Sequence, residues 1–319
     1  MTATESLPPS QPAFSDQRTG LIIFGVLEIL IGCFCVLMVA LMFVGLSLGK
    51  VTGASSDSDT IIFGALMYAA IAIMFVWLGI GSIMCRRWAR ALLLILSWGW
   101  LLMGIVMMGI FVTVQPRIAE ATQPGPGSAA ITITLVIFAV IFLVIPSTLT
   151  LFHQGRNVKA TCEARDPVRR WTDACPLPVL AASLWIGMGA LFMLPTSLTD
   201  KDVLPFFGIL LTGLPATLSF VAWSAGSVWL AWAFYRLKPF AWWVAVVACV
   251  LFVVSYTITF ARIDPMEIYR QMGHAQQHLD QIQKYNFCSG KSVAIWMTCC
   301  TLPWFGYLLW IKKFFRRSA

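Results

Sequence analysis

Glu28 is the acidic residue set well inside an apolar run, in the segment Gly25-Val-Leu-Glu-Ile-Leu-Ile-Gly32. A carboxylate within hydrocarbon costs roughly 2.5–3.5 kcal/mol even on a lenient insertion scale, so it must face protein or water rather than lipid. Two chemistries suit it: a proton- or cation-linked group in a pathway, or a structural carboxylate tied to a cation. Arg86 and Arg87, at the end of the next apolar run, are the candidate ion-pair partners. Glu28 lies about eight residues, or ~12 Å, from the helix start, within reach of a long arginine. Gly25 and Gly32 flank it at i−3 and i+4 on one helix face, where missing side chains let a second helix approach closely and mark a packing surface.

Other residues of chemical interest are weaker. His274 and His278 stand four apart, one helical turn, a spacing that can bind a metal. They lack the interposed glutamate of H-E-x-x-H and an evident third ligand, so no metal site is assigned to them. Cys162, Cys175 and His153 could be read as zinc ligands, but twelve residues lie between the two cysteines, without the close spacing of structural zinc ligands. The other cysteines sit mostly in or at the ends of apolar runs, where a thiol acts as a small hydrophobe. The sequence has no G-x-S-x-G, no phosphate-binding loop and no acidic cluster for a divalent metal. An enzyme with a common motif is therefore not expected, and no cofactor is implied.

The elements that carry these residues follow from composition. The 319-residue chain is 59% hydrophobic and 11% charged, with mean hydropathy +0.82, far from the roughly 25% charged residues of soluble domains. Its charges gather between apolar runs long enough to cross a bilayer, which needs about 20 residues per helix. The pattern predicts an all-α integral membrane protein with about eight transmembrane helices: 20–48, 60–85, 89–115, 130–152, 177–194, 216–236, 239–260 and 292–315. Residues 204–214 form a short interfacial or re-entrant piece, because 203–238 is too long for one crossing and too short for two. Pro146 and Pro303 remove backbone donors inside the fourth and eighth spans and should kink them. In the outer loop 263–291, Asp264-Pro265 is a helix-start signal, and the apolar spacing beyond it predicts short amphipathic helices.

The organisation reads as a disordered tail (1–19), a first four-span half (20–153), a polar connector (154–176) and a second four-span half (177–319). The halves resemble each other faintly. Leu27-Glu-Ile-Leu-Ile-Gly32 matches Leu184-Trp-Ile-Gly-Met-Gly189, Arg87-Trp-Ala-Arg90 matches Pro239-Phe-Ala-Trp242, and Pro146 precedes His153 by seven residues as Pro303 precedes Trp310. Four spans is an even number, so such repeats run parallel.

Most of the 22 basic residues fall on the side shared by the termini and the connector. By the positive-inside rule, both termini are cytoplasmic and the protein is a multi-pass component of a cell membrane, plasma or inner. These clusters account for most of the +8 net charge, which reads as contact with the bilayer and its anionic headgroups and not with nucleic acid. Two functions remain: an accessory, scaffold or sensor protein with a protein partner, favoured by the scarcity of intramembrane charge, or a transporter or channel for a small or lipophilic solute with a site near Glu28.

Overall fold

A computed structural model of the chain describes residues 14–52, 58–121, 126–196, 203–272, 276, 279 and 290–316. Helices make up most of it, and seven are long and apolar enough to cross a membrane. Their outer faces carry Leu30, Phe34, Leu41, Ile73 and Val250 about half exposed or more. In water such contiguous apolar surface would drive aggregation; in a bilayer, lipid tails cover it. The protein is therefore a polytopic membrane protein.

The chain divides into two compact units. The first comprises residues up to Gly104 together with Ala139–Thr172. It contains α1 (Arg18–Thr52), α2 (Ser58–Ile83), the first half of α3 (Arg87–Ala121), a π-helical turn (Val140–Val144), α5 (Ile145–Gln154) and α6 (Arg156–Arg165). The π-helical turn leads directly into Pro146, near the start of α5. Proline cannot donate to the carbonyl four residues back, and a π turn absorbs the mismatch. That carbonyl, Phe142 O, points at Gly104 of α3, where any Cβ would collide with it.

The connector is not a free linker. Its first part forms α6, which packs on α1 with Val158 and Cys162 in a core with Leu21, Cys85 and the partly buried Phe152. The end of the expected disordered tail is likewise held: the Gln17 amide donates to Thr161 Oγ1 at 3.0 Å, and Arg165 Nη2 pairs with Asp16 Oδ2 at 2.6 Å. Residues 1–13 lie outside the described residues.

The second unit comprises Ile105–Phe138 and Asp173–Ala319. It contains α4 (Pro126–Ala139, up to Phe138), α7 (Leu177–Thr196), α8 (Leu214–Tyr235), α9 (Pro239–Arg262), α10 (Pro265–Gln271) and α11 (Gly290–Arg316). The expected fifth span corresponds to α7, whose apolar part, Leu177–Met193, is shorter than the seven long helices. Pro303 lies inside α11. The expected short piece at 204–214 is a β-hairpin, β1 (Val203–Phe206) paired antiparallel with β2 (Ile209–Thr212), Val203 opposite Thr212 and Phe206 opposite Ile209. Its two-residue turn, Phe207-Gly208, has positive φ at both positions (43° and 89°), the geometry of a tight hairpin. The turn amides donate to Ser255 Oγ (3.0 Å) and Thr259 Oγ1 (2.9 Å) on α9. α10 starts at an N-cap, Asp264, whose carboxylate accepts from the Met266 amide at 3.0 Å.

α2 and α8 end alike. The Cys85 amide donates to Ser82 O and the Arg86 amide to Gly81 O; the Leu237 amide donates to Phe234 O and the Lys238 amide to Ala233 O. Cys85 (φ 54°) and Leu237 (φ 52°) are both left-handed. Each is a Schellman-type stop made without glycine, and α3 or α9 begins two residues later.

Candidate functional site

Glu28 lies on the face of α1 turned to α2 and α5. Its placement follows from the glycines around it. A Cβ on Gly25 would come within 2.8 Å of Gly79 O, and one on Gly32 within 3.1 Å of Ala72 O and 2.7 Å of Val76 Cγ2. Only bare backbone permits α1 and α2 to lie so close, and Ser82 adds a hydrogen bond from its hydroxyl to Leu21 O at 3.2 Å. Glu28 has no exposed surface.

The group beside it is His153, also fully buried, with Nε2 3.7 Å from Glu28 Oε1. His153 comes from the last turn of α5, where its Nδ1 lies 2.9 Å from Leu149 O. A carbonyl can only accept, so Nδ1 carries a proton and Nε2 is the nitrogen presented to Glu28. Phe24 and Phe152 stack at 4.1 Å between centroids, and each lies in a T-shaped arrangement with His153, at 6.0 and 5.2 Å. Neither carboxyl oxygen of Glu28 has a hydrogen-bond partner among the described residues; nor has His153 Nε2, nor Thr150 Oγ1 one turn earlier on α5.

The expected partners of Glu28 are engaged elsewhere. Arg86 Nη1 lies 3.4 Å from Asp166 Oδ1, and Arg87 Nη2 lies 3.7 Å from Glu163 Oε1. The reason is the α2 stop: the left-handed Cys85 turns the chain, and both arginines follow it toward α6. Asp166, with a side chain only 2% exposed, also accepts from the Arg87 amide at 3.3 Å and faces Arg170 Nε at 3.7 Å. Arg90, from the first turn of α3, acts electrostatically on His153 and on Cys162. Sequence reasoning grouped His153 with Cys162 and Cys175 and not with Glu28, because it sits at the edge of an apolar run and reads as the start of the connector.

Burial pushes the Cys162 thiol of α6 up to about 12 and, in the second unit, the Cys175 thiol up to about 11. Asp16, by contrast, is held below the usual carboxylate range by its hydrogen bond from Arg165. Among the described residues no group of three or more His, Cys, Asp or Glu side chains could hold a metal ion. His274 and His278 lie outside the described residues. The chain matches no family model, no curated protein and no solved structure.

Proposed function

We propose that this is a multi-pass membrane protein of accessory, scaffold or sensor type. It crosses the bilayer eight times as two parallel four-span halves, counting α7 as a short fifth crossing, with both termini and the connector in the cytoplasm. The observation that carries the reading is the sealing of Glu28. The carboxyl group is closed off by the glycine contact of α1 with α2 and by the aromatic pair beside His153, leaving no exposed surface. A transport pathway needs water or solute to reach its ionisable group, whereas a packed bundle does not.

Three observations support the parallel halves. The two α-helical stops at Cys85 and Leu237 use the same pair of backbone bonds. In the close helix pairs, Gly25 against Gly79 in the first half has a counterpart in the second, where Ser183 donates to Ala231 O at 2.7 Å and a Cβ on Gly187 would sit 3.6 Å from Ala231 Cβ. Ala89 and Ala241, the third residues of α3 and α9, are both fully buried. The arginine and lysine clusters at Arg86, Arg87, Arg169, Arg170, Lys312 and Lys313 favour a cytoplasmic face in contact with anionic headgroups.

A second reading is a transporter for a small or lipophilic solute, favoured by the unpartnered atoms of Glu28 and His153. Proteoliposomes with an entrapped pH dye and an imposed proton gradient separate the two. Gradient decay equal to that of protein-free vesicles is expected. Faster decay that Glu28→Gln abolishes would replace the accessory reading with transport.

A further inference from the structure

We propose that Glu28 and His153 form a proton-binding site that holds one proton between a carboxyl oxygen of α1 and the Nε2 of α5. His153 Nδ1–H is committed to Leu149 O, so a neutral ring turns the lone pair of Nε2 toward Glu28 Oε1, 3.7 Å away. A carboxylate facing that lone pair would leave two buried acceptors against each other, both without partners, which is costly in a low dielectric. One proton removes the conflict. It sits on the carboxyl as O–H···N or on the ring as N–H···O, and in both forms the pair has no net charge. A shift of about 1 Å within the rotamers brings the two atoms to bonding distance.

A second proton would put a net positive charge within the electrostatic influence of Arg90 of α3, whose charge acts on His153. Loss of the proton would leave a buried anion. The other titratable groups at this end are Cys162 and Glu163 of α6, which act on Arg90, and Cys85 at the end of α2, which acts on Cys162. α2 otherwise presents Gly79 and the hydroxyl of Ser82, already bonded to Leu21 O.

The second half supplies an internal comparison, which rests on the alignment of the halves proposed above. The positions matching Glu28 and His153 are Trp185 and Trp310. A half built with two tryptophans there needs no acid and base to fold, so the pair in the first half is an addition to the fold and not a requirement of it. His153 is followed within three residues by α6, so the proton lies next to the segment that binds the connector to the bundle.

The test is solid-state NMR of the full chain in lipid bilayers, labelled with ¹⁵N-histidine and ¹³C-glutamate, with His274→Gln and His278→Gln leaving His153 as the single histidine. Expected are a dipolar coupling between His153 Nε2 and the Glu28 carboxyl carbon, and an Nε2 resonance displaced from that of a free, unprotonated imidazole nitrogen. Glu28→Gln should return it to the free position. Absence of the coupling in the unsubstituted Glu28 protein overturns the proposal without reliance on any Glu28 variant. So does an Nε2 resonance that Glu28→Gln leaves unmoved in protein that melts at the parent temperature. The proton-gradient assay is independent: no flux leaves this site intact, and no shared proton leaves the accessory reading intact.

Discussion

Gly25 and Gly79 meet backbone to backbone. A Cβ on Gly25 would fall 2.8 Å from Gly79 O, and a Cβ on Gly79 would fall 2.7 Å from Gly25 O. The contact is reciprocal, so neither helix can yield without the other moving, and Glu28 stands one turn further along. Gly79→Ala should therefore push α1 from α2 and cost about 1–3 kcal/mol, the usual range for overpacking. Gly45, also in α1, has open space where its Cβ would lie. Gly45→Ala should be neutral or stabilise by up to ~1 kcal/mol through helix propensity. Thermal unfolding of both variants in nanodiscs, followed by tryptophan fluorescence, checks the pair. Equal melting temperatures would mean that the glycine contact carries no stability.

The Asp166 carboxylate joins three basic neighbours at the base of the first unit: the Arg86 side chain, the Arg87 amide and the Arg170 side chain. Its burial sets it apart from the exposed Asp16–Arg165 and Lys159–Glu163 pairs, which solvent screens. Asp166→Ala strands the Arg87 amide and leaves Arg86, itself one-third exposed, to water. The expected loss is about 1–3 kcal/mol, the cost of an unsatisfied group, against no measurable change for Lys159→Ala. Protease cleavage between residues 155 and 172 should also accelerate in Asp166→Ala, because the carboxylate fastens α6 beneath α2 and α3.

How far the sequence disclosed this arrangement depends on the length scale of the signal. Apolar runs of membrane length announce themselves, because the bilayer imposes about 20 residues on each helix. α7 is at the margin of that rule, and its apolar part stops at Met193. The hairpin at Val203–Thr212 was hidden because its strands are apolar on both faces and carry no alternation, leaving Phe207-Gly208 as the sole turn signal. Glu28 was conspicuous as a lone charge in a run of leucine and isoleucine. Its neighbour His153 was not, since sequence distance says nothing about which helix ends meet. Reach alone connects the two arginines to Glu28 in the sequence. The left-handed Cys85 that turns them toward α6 is a non-glycine residue, with no composition signal to mark it.

Cysteine chemistry gives a pH prediction. Burial pushes Cys162 up to about 12 and Cys175 up to about 11, and raises Cys85 as well. Only the thiolate attacks a maleimide, so at pH 8 Cys162 should react about a thousandfold more slowly than an ordinary thiol of pKa about 8.5–9. A thiol whose folded value is raised stabilises the fold below the unfolded value and loses that contribution as pH rises through the folded one. Stability should therefore fall between about pH 8.5 and 12, and Cys162→Ala should flatten that alkaline decline. Mass spectrometry of labelled sites across pH, with and without denaturant, reads the first effect, and melting curves read the second. Rapid labelling of Cys162 in folded protein at pH 8 would show that α6 opens freely.

The hairpin turn separates backbone geometry from side-chain packing. Phe207 occupies a left-handed conformation that costs a non-glycine residue about 1–3 kcal/mol, yet its amide and that of Gly208 are bound by Ser255 and Thr259. Two side-chain hydroxyls on α9 thus hold a turn that its first residue disfavours. Asparagine tolerates this conformation, and Asn-Gly is the favoured pair for such a turn. Phe207→Asn should therefore leave the hairpin as protected as before. Gly208→Ala should loosen it, because φ is 89° and the added carbon would press on Arg262 and Ile258 at 3.1 Å. Thr259→Ala should fall between the two, removing one acceptor worth about 0.5–1.5 kcal/mol. Hydrogen exchange at the amides of residues 207 and 208 gives the ranking directly. If Phe207→Asn exposes those amides as much as Gly208→Ala does, the phenyl ring and not the α9 hydroxyls fixes the hairpin in place.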